Sequence, residues 1–351
     1  MRTTTTTSDD SVGAVVIRKD DVGTITVGYE HIDRPTPGPD DLLVEPAFAG
    51  VCGTDMEQLH GRMPESFIIN FPHTLGHEWS GTVVATGSNV TGFAVGDKIL
   101  GHGHLGGNEW FGVTHDGAMS EVFTVPASMC FAVPDGVSLQ TAAVIEPFAC
   151  VLNAVKKIGG LSAADTVHVY GLGAIGLCAV MQGVVAGAQV VAYDPSELRR
   201  KTALQLGARA ALNPLEEGSL ADATAAQIGR GLGDVVIEAS GNPFAQAMAI
   251  KSADDDGRVL LMGVSVPREV PVLLGLVQQR NLTITSSTGA PPPVWPAAIN
   301  YVANVGLDLE VLVSSVIDFA DCEEAIARAQ DSGREVKVLL RPHVTANVPA
   351  S

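Results

Sequence analysis

TVHVYGLGAIGLCAVMQGVVAGAQVVAYD, residues 166 to 194, carries more of the fold than any other stretch of the chain. TVHVY is short, apolar and β-branched, which predicts a strand. Gly171, Gly173 and Gly176 follow in the spacing GxGxxG. AIGLCAVMQGVVAG then predicts a helix, and AQVVAYD a second strand that ends on an acid. Alone the glycine motif is weak; between a strand and a helix it is informative. The first glycine permits a tight turn and the second lets the backbone approach a pyrophosphate. The third lets helix and strand pack closely, and the helix N-terminus faces the phosphates. Asp194, 18 residues after Gly176, suits a carboxylate that grips ribose hydroxyls and repels a 2′-phosphate, which favours NAD over NADP. Arg199 and Arg200 follow closely; they suit a phosphate or, equally, an ordinary exposed helix face. The candidate cofactor-binding residues are Gly171, Leu172, Gly173, Ala174, Ile175, Gly176, Asp194 and Arg199.

Residues 175 to 193 contain no charge over 19 positions, a length that would admit a membrane span. Gly183 and Gly187 interrupt the run, and Gln182 and Gln189 punctuate it. A buried helix followed by a buried strand is expected instead, with no membrane partner.

Working outward toward the C-terminus, PSELRRKTALQLGA, DVVIEASG, PFAQAMAIKSA and GRVLLMGV continue the alternation of helix and strand. Such alternation implies a doubly wound parallel sheet with helices on both faces. Toward the N-terminus the texture differs. AVVIRK, TITVGYE, DLLVEPAFAG, GTVVATGSNV and AMSEVFTVP are short β-rich runs between Gly/Pro turns, and they predict a loop-rich β domain. QTAAVIEPFACVLNAVKKIGG, where the texture changes, reads as a helix. The fold class is therefore α/β, a β-rich domain beside a parallel-sheet domain. The expected bounds are a flexible tail over 1–13, a β-rich domain over 14–155 and 299–351, and a cofactor domain over 156–298.

A net charge of −18 with no cluster of Lys or Arg argues against nucleic acid and anionic membranes as partners. Five scattered cysteines form no disulfide framework, which points to reduced thiols and a cytoplasmic protein. MRTTTTTSDDS is polar and does not read as a secretory leader.

Glu146 interrupts the apolar run AVIEPFACVLNAV, residues 143–155. A carboxylate taken out of water needs an ion pair, a hydrogen bond or a metal. GVCGTDMEQLHG supplies Cys52, Thr54 and Asp55, and TLGHEWSG supplies His77 and Glu78. Thiolate, imidazole and carboxylate are the usual ligands of zinc. The separation of Cys52 from His77 forms no local zinc-finger spacing, however, and a lone Cys or His is more often a packed core residue.

The motifs GVCGTD, GHEWSG, VGDKI, DGAMSEVFTVP, IEP, GLGAIG and DVVIEASG occur together and in order. From roughly residue 14 to 342 the chain resembles the zinc-dependent medium-chain dehydrogenases/reductases, the alcohol dehydrogenase family. It is most similar to the polyol branch, with sorbitol, butanediol, threonine and scyllo-inosamine dehydrogenases. The resemblance implies a GroES-like catalytic domain, a Rossmann domain and an active site in the cleft between them. It implies that Cys52 and His77 bind catalytic zinc, that Glu78 binds it or sits just behind it, and that Asp55 holds the far nitrogen of His77. Thr54 would bond the substrate alcohol. Glu146, 25 residues before Gly171, would be the last ligand, held directly or through water, and Cys150 no ligand. Cys150 would line the nicotinamide pocket or be a small buried hydrophobe.

Two departures from the family follow. LGHGHLGGNEWFGVTHDG has no cysteine where many relatives bind a structural zinc, so one catalytic zinc is expected, with His102 and His104 as loop residues near the cleft rim. Glu57 stands where many relatives carry a proton-relaying histidine; protons would leave through Glu57, Glu78 or Glu146. Trp79, Trp110, Phe111 and Trp295 are candidate pocket walls. The implied reaction is reversible oxidation of a secondary alcohol, in a polyol, cyclitol or aminocyclitol, with NAD. Threonine or butanediol dehydrogenase-like activity is the alternative, and a zinc-free reductase or a catalytically silent NAD-binding protein are the rivals. A homodimer or homotetramer is expected.

Overall fold

In the computed structural model, residues 10–216, 218–264, 269–331 and 333–343 are described. The quoted stretch forms the centre of a six-stranded parallel sheet. Its strands run Ala210–Leu212, Gln189–Tyr193, Thr166–Tyr170, Gly233–Glu238, Ala253–Leu261 and Thr283–Ser286 across the sheet. Thr166–Tyr170 comes first in the chain yet lies mid-sheet and is buried throughout. The connections leave it in opposite directions, and that reversal opens a crevice at the carboxyl ends of the strands. The uncharged run 175–193 resolves into the helix Ala174–Val185 and the strand Gln189–Tyr193. No helix among the described residues is long and apolar enough to cross a membrane.

The second large sheet has seven strands. Cys130–Ala132, Lys98–Gly101, Glu78–Thr86, Asp41–Gly50, Lys337–Arg341 and Val313–Asp318 lie side by side, and Phe123–Pro126 pairs with Asp41–Gly50. The chain thus leaves this sheet after residue 132, builds the parallel sheet, and returns for its last two strands. Leu339 and Leu340 pair with Gly50 and Ala49, which brings the C-terminal strand beside the segment carrying Cys52. A three-stranded sheet of Ile25–Asp33, Ser11–Lys19 and His73–Thr74 completes the β-rich part.

Two expectations need correction. Residues 11–13 are not tail: the strand Ser11–Lys19 starts there, and its residues 12–17 are buried. Asp10 is an exposed turn residue, and residues 1–9 of the expected tail lie outside the described residues, as do 344–351 of the last expected segment. The single helix read over 140–160 is two, Leu139–Ala142 and Ile145–Lys157. Pro147 explains the break. It has no N–H to donate to the carbonyl four residues back, and its ring crowds that carbonyl, so it is tolerated only in a first turn. The longer helix packs against Ala174–Val185 and Trp295–Val305 and touches the Glu78–Thr86 strand, so it links the two sheets.

Candidate metal centre and cofactor loop

The candidate metal ligands come from two parts of the chain. Cys52 sits at the N-cap of the helix Gly53–Leu59, and its backbone N–H donates to Asp55 Oδ2 at 2.8 Å. His77 and Glu78 lie at the start of the Glu78–Thr86 strand, whose first residue is opposite Gly50. The Cys52 thiol, a His77 ring nitrogen and a Glu78 carboxylate oxygen gather within 4.8 Å of one another. Thr54 Oγ1 is 3.8 Å from the Cys52 sulfur.

Lys337 arrives from the far end of the chain. Its buried ammonium forms an ion pair with the buried Glu78 carboxylate and donates to the Val51 carbonyl at 2.9 Å. Gly50 makes room for this pair: a Cβ there would stand 2.4 Å from Glu78 Oε2 and 2.9 Å from Lys337 Cε. Any side chain at position 50 would displace the pair.

The electrostatics show what the centre accommodates. Burial alone would pull the His77 pKa down; the charges of Cys52, Asp55 and Glu146 overcome it and push the ring up to about 10. Asp55 Oδ1 and His77 Nδ1 are both buried without a hydrogen-bond partner. A buried knot of anionic donors, with soft thiolate beside imidazole and carboxylate, fits a zinc ion.

Not every predicted contact is made. Asp55 Oδ1 is 3.8 Å from His77 Nδ1, too long for a hydrogen bond. Its other oxygen is tied to the Cys52 backbone, which holds the carboxylate on its helix. Glu146 is half-buried, and its carboxylate is not in the gathered trio. Glu146 Oε1 accepts from the Cys150 thiol at 3.1 Å. Burial, and then the charge of Glu78, raises the Glu146 pKa. Cys150 is therefore the partner of Glu146, one helical turn away, rather than a bystander. Glu57 has a different partner again: Arg62 grips it with two bonds of 2.8 and 2.9 Å.

The cofactor loop is local. Gly171 has φ +86°, and a Cβ at Gly176 would stand 1.7 Å from the Gly171 carbonyl oxygen. A Cβ at Gly173 would meet nothing within 4 Å, so the space ahead of the Ala174–Val185 helix is open to a phosphate. Asp194 accepts from the backbone N–H groups of Leu172 and Ser196, each at 2.8 Å. A carboxylate oxygen has a second lone pair, so these bonds leave capacity for ribose hydroxyls. The cradle fits a dinucleotide. The arginines are less free than the sequence allowed. Arg199 donates to the Glu335 carbonyl at 3.1 and 2.9 Å, and Arg200 to the carbonyls of Asp194 and Pro195.

Residues 38–135 match the family described as "Alcohol dehydrogenase GroES-like domain", and residues 174–304 that described as "Zinc-binding dehydrogenase". L-threonine 3-dehydrogenase of Streptomyces coelicolor is 33% identical over 334 residues, covering 88% of this chain and 94% of the relative. The chain belongs to the zinc-dependent medium-chain dehydrogenase family. Sorbitol dehydrogenase of Bacillus subtilis is 26% identical over 336 residues, covering 90% and 94% of the two chains. Among solved structures, a zinc-binding dehydrogenase from Sinorhizobium meliloti 1021 bound to NADP aligns with TM-score 0.86 at 30% identity, covering 95% of this chain and 99% of that one. A 2R,3R-butanediol dehydrogenase from Bacillus subtilis aligns with TM-score 0.84 at 26% identity, covering 95% and 100%. These relatives place the chain in the polyol branch. It is a zinc-dependent oxidoreductase that uses a nicotinamide cofactor.

The lobe of this dehydrogenase over 101–118 contains a small hairpin, His104–Gly106 with Glu109–Trp110. Polar bonds tie it down: Gln58 Nε2 donates to the Gly112 carbonyl at 3.4 Å, and the Thr74 N–H to Asp116 Oδ1 at 2.8 Å. His102 is not at a rim. It is buried against the rings of Phe131 and Trp295, and burial pulls its pKa to about 4. Trp79 and Phe111 are core, packed with Phe123, and the Trp295 indole donates to the Ala290 carbonyl at 3.2 Å. Trp110 is half-buried, beside Gly289 and Gly103. Lys337 is the residue that sequence reasoning missed. The signal was present: a lysine at the start of an apolar strand, VKVLLR, requires a buried partner.

Proposed function

We propose that this protein reversibly oxidises a secondary alcohol of a small polyhydroxylated substrate, a polyol, cyclitol or aminocyclitol, to the ketone. The observation that carries the reading is the gathering of half-buried Cys52 with buried His77 and Glu78, in a chain that also carries the glycine cradle. One zinc would be held by this trio, with Glu146 as a further ligand directly or through water. Zinc, when bound, polarises the alcohol oxygen and lowers its pKa, and NAD supplies the acceptor for the hydride. The chain's own groups do the rest. Thr54 Oγ1, beside the Cys52 sulfur, takes and relays the alcohol proton. Asp55 holds the Cys52 backbone and sets a negative charge beside the His77 ring, and Lys337 balances the charge of Glu78. The Ala174–Val185 helix N-terminus faces the pyrophosphate, and Asp194 takes the ribose hydroxyls.

Asp194 supports NAD against the NADP bound in the Sinorhizobium relative, because its carboxylate would face a 2′-phosphate. Five free cysteines support a reducing, cytoplasmic setting. The strand Thr283–Ser286 is an edge of the parallel sheet, and Leu273, Leu274 and Ile284 near it are exposed. An open edge with apolar neighbours suits pairing with a second copy, hence a homodimer as the unit of assembly.

A second reading, oxidation of a β-hydroxy amino acid, is favoured by the 33% identity to the threonine enzyme. The test is a panel of polyols, cyclitols, aminocyclitols, butanediol and threonine, each with NAD and NADP. The proposal expects the highest kcat/KM for a ring or chain polyol with NAD. Threonine far above the rest would replace the substrate class, and no turnover of any alcohol would overturn the enzyme reading.

A further inference from the structure

Arg199 projects from the first turn of the helix Glu197–Gln205, just beyond the carboxyl edge of the parallel sheet. Its guanidinium does not point freely into the cofactor crevice. Nε and Nη2 donate to the Glu335 carbonyl, while Nη1 stays 3.9 Å from Asp194 Oδ2. The side chain is only 16% exposed. An always-charged guanidinium taken this far out of water must be held by good acceptors, and its fork meets them here in fixed geometry.

Glu335 is itself fixed. Its carboxylate accepts from Arg328 Nε at 2.8 Å and from Ser315 Oγ at 2.9 Å, and it also bonds Ser314 Oγ. The Val336 N–H donates to Ser314 Oγ at 3.0 Å. The next residue is Lys337, whose ammonium holds Glu78 of the metal trio and the Val51 carbonyl beside Cys52. A continuous run therefore leads from the ribose carboxylate to the metal ligands: Asp194, Arg199, the backbone of residues 335–337, the Lys337 ammonium and Glu78. One part belongs to the parallel sheet, the rest to the seven-stranded sheet.

We propose that Arg199 is a positioning residue, a clasp that couples occupation of the ribose site at Asp194 to the hold on metal at Cys52, His77 and Glu78. The proposal rests on the zinc and NAD reading above. A ribose bound at Asp194 restrains the turn from which Arg199 projects and so favours the closed clasp. The closed clasp fixes the backbone ahead of Lys337, and with it the ammonium that keeps Glu78 in place. Because such coupling is reciprocal, metal in the trio also strengthens adenosine binding.

The test uses the zinc-loaded protein and 5′-AMP, which lacks the nicotinamide half and so cannot shield the metal itself. Zinc release to a chromogenic chelator is timed with and without saturating AMP, and AMP binding is followed separately by calorimetry. In the unmodified protein AMP should slow zinc release about tenfold, a common size for coupling between sites. In Arg199→Ala the slowing should vanish even at AMP concentrations raised until calorimetry shows the site saturated. Arg199→Lys, which keeps the charge and one donor group, should restore part of it. A merely structural arginine would lower thermal stability and leave the AMP effect on zinc intact, and that result overturns the proposal. AMP that binds the unmodified protein without slowing zinc release also overturns it. Should Arg199→Ala not fold, the lysine variant decides: full slowing contradicts the clasp, and reduced slowing supports it. Failure of AMP or zinc to bind the unmodified protein at all would instead remove the underlying cofactor or metal reading.

Discussion

The cofactor loop and the metal centre lie in one molecule but are built in opposite ways. The loop is a single stretch: strand, turn, helix, strand and acid in order, with the turn at Gly171 and the Gly176–Gly171 approach both inside it. The metal centre draws on Val51 to Asp55, on His77 and Glu78, on Glu146 and Cys150, and on Lys337. The contacts that close it, among Cys52, the His77–Glu78 pair and Lys337, join residues far apart in sequence, so spacing carries no information about them. Chemistry requires only that a thiol, an imidazole and carboxylates meet; the pairing of strands decides that they do. The difference is one of range. Local geometry can be read from local sequence, whereas a site closed by sheet register cannot.

The largest expected effect lies on the long-range side. Lys337→Met would leave Glu78 buried without its cation. Breaking one partner of a buried pair costs about 3–5 kcal/mol, so the thermal midpoint should fall on the order of 10 °C. The double variant with Glu78→Gln should recover part of the loss. A midpoint unchanged in the single variant would show that the pair contributes nothing.

Next in size is an acid effect within the cofactor unit. Burial, reinforced by the charge of Arg230, lowers the His168 pKa from 6.5 to about 4. The unfolded chain therefore binds a proton between pH 6.5 and 4 that the folded chain refuses. Stability from this group is full above pH 6.5 and falls as pH drops toward 4, by about 3 kcal/mol in total. His168→Gln should flatten urea-melt stability over that window. An identical slope in the variant would assign the acid sensitivity elsewhere.

How far the sequence could be read follows the same division by range. Asp194 and the glycines stand where the motif puts them. The pair Glu146–Cys150 is one helical turn long, so four-residue spacing could have revealed it; the family pattern drew attention to the metal instead. The ion pair of Lys337 with Glu78 was beyond reach, because it depends on Leu339 and Leu340 pairing beside Gly50. The strand at Ser11 was hidden by the polar run before it. The helix Trp295–Val305 went unread although Pro296 opens it and Gly306 closes it, both recognised end signals. The helix Leu220–Ile228 gives little signal, since LADATAAQI has no clear apolar period.

Two smaller effects sharpen the contrast. Asp194→Asn keeps the side chain's shape and removes its charge. Losing one charge-assisted bond is worth about 1.5–3 kcal/mol, so the ratio of kcat/KM for NAD to that for NADP should fall about 10- to 100-fold. A preference for NADP in the unmodified enzyme would contradict the role given to this carboxylate. Glu146→Gln should weaken zinc binding about 10- to 100-fold if the residue acts through water, as outer partners do, and more if it binds directly. Cys150→Ser keeps a donor toward Glu146 and should leave zinc content unchanged. The reverse pattern, zinc lost in the serine variant and kept in the glutamine variant, would make Cys150 the ligand.

The most direct test of the metal centre is zinc content. Purified protein, dialysed against a weak chelator, is predicted to hold one zinc per chain by elemental analysis. Cys52→Ala, at the same folded content by circular dichroism, is predicted to hold none and to lose dehydrogenase activity with it. Two tightly bound zincs per chain, or one zinc still held by the alanine variant, would contradict a single site at Cys52, His77 and Glu78.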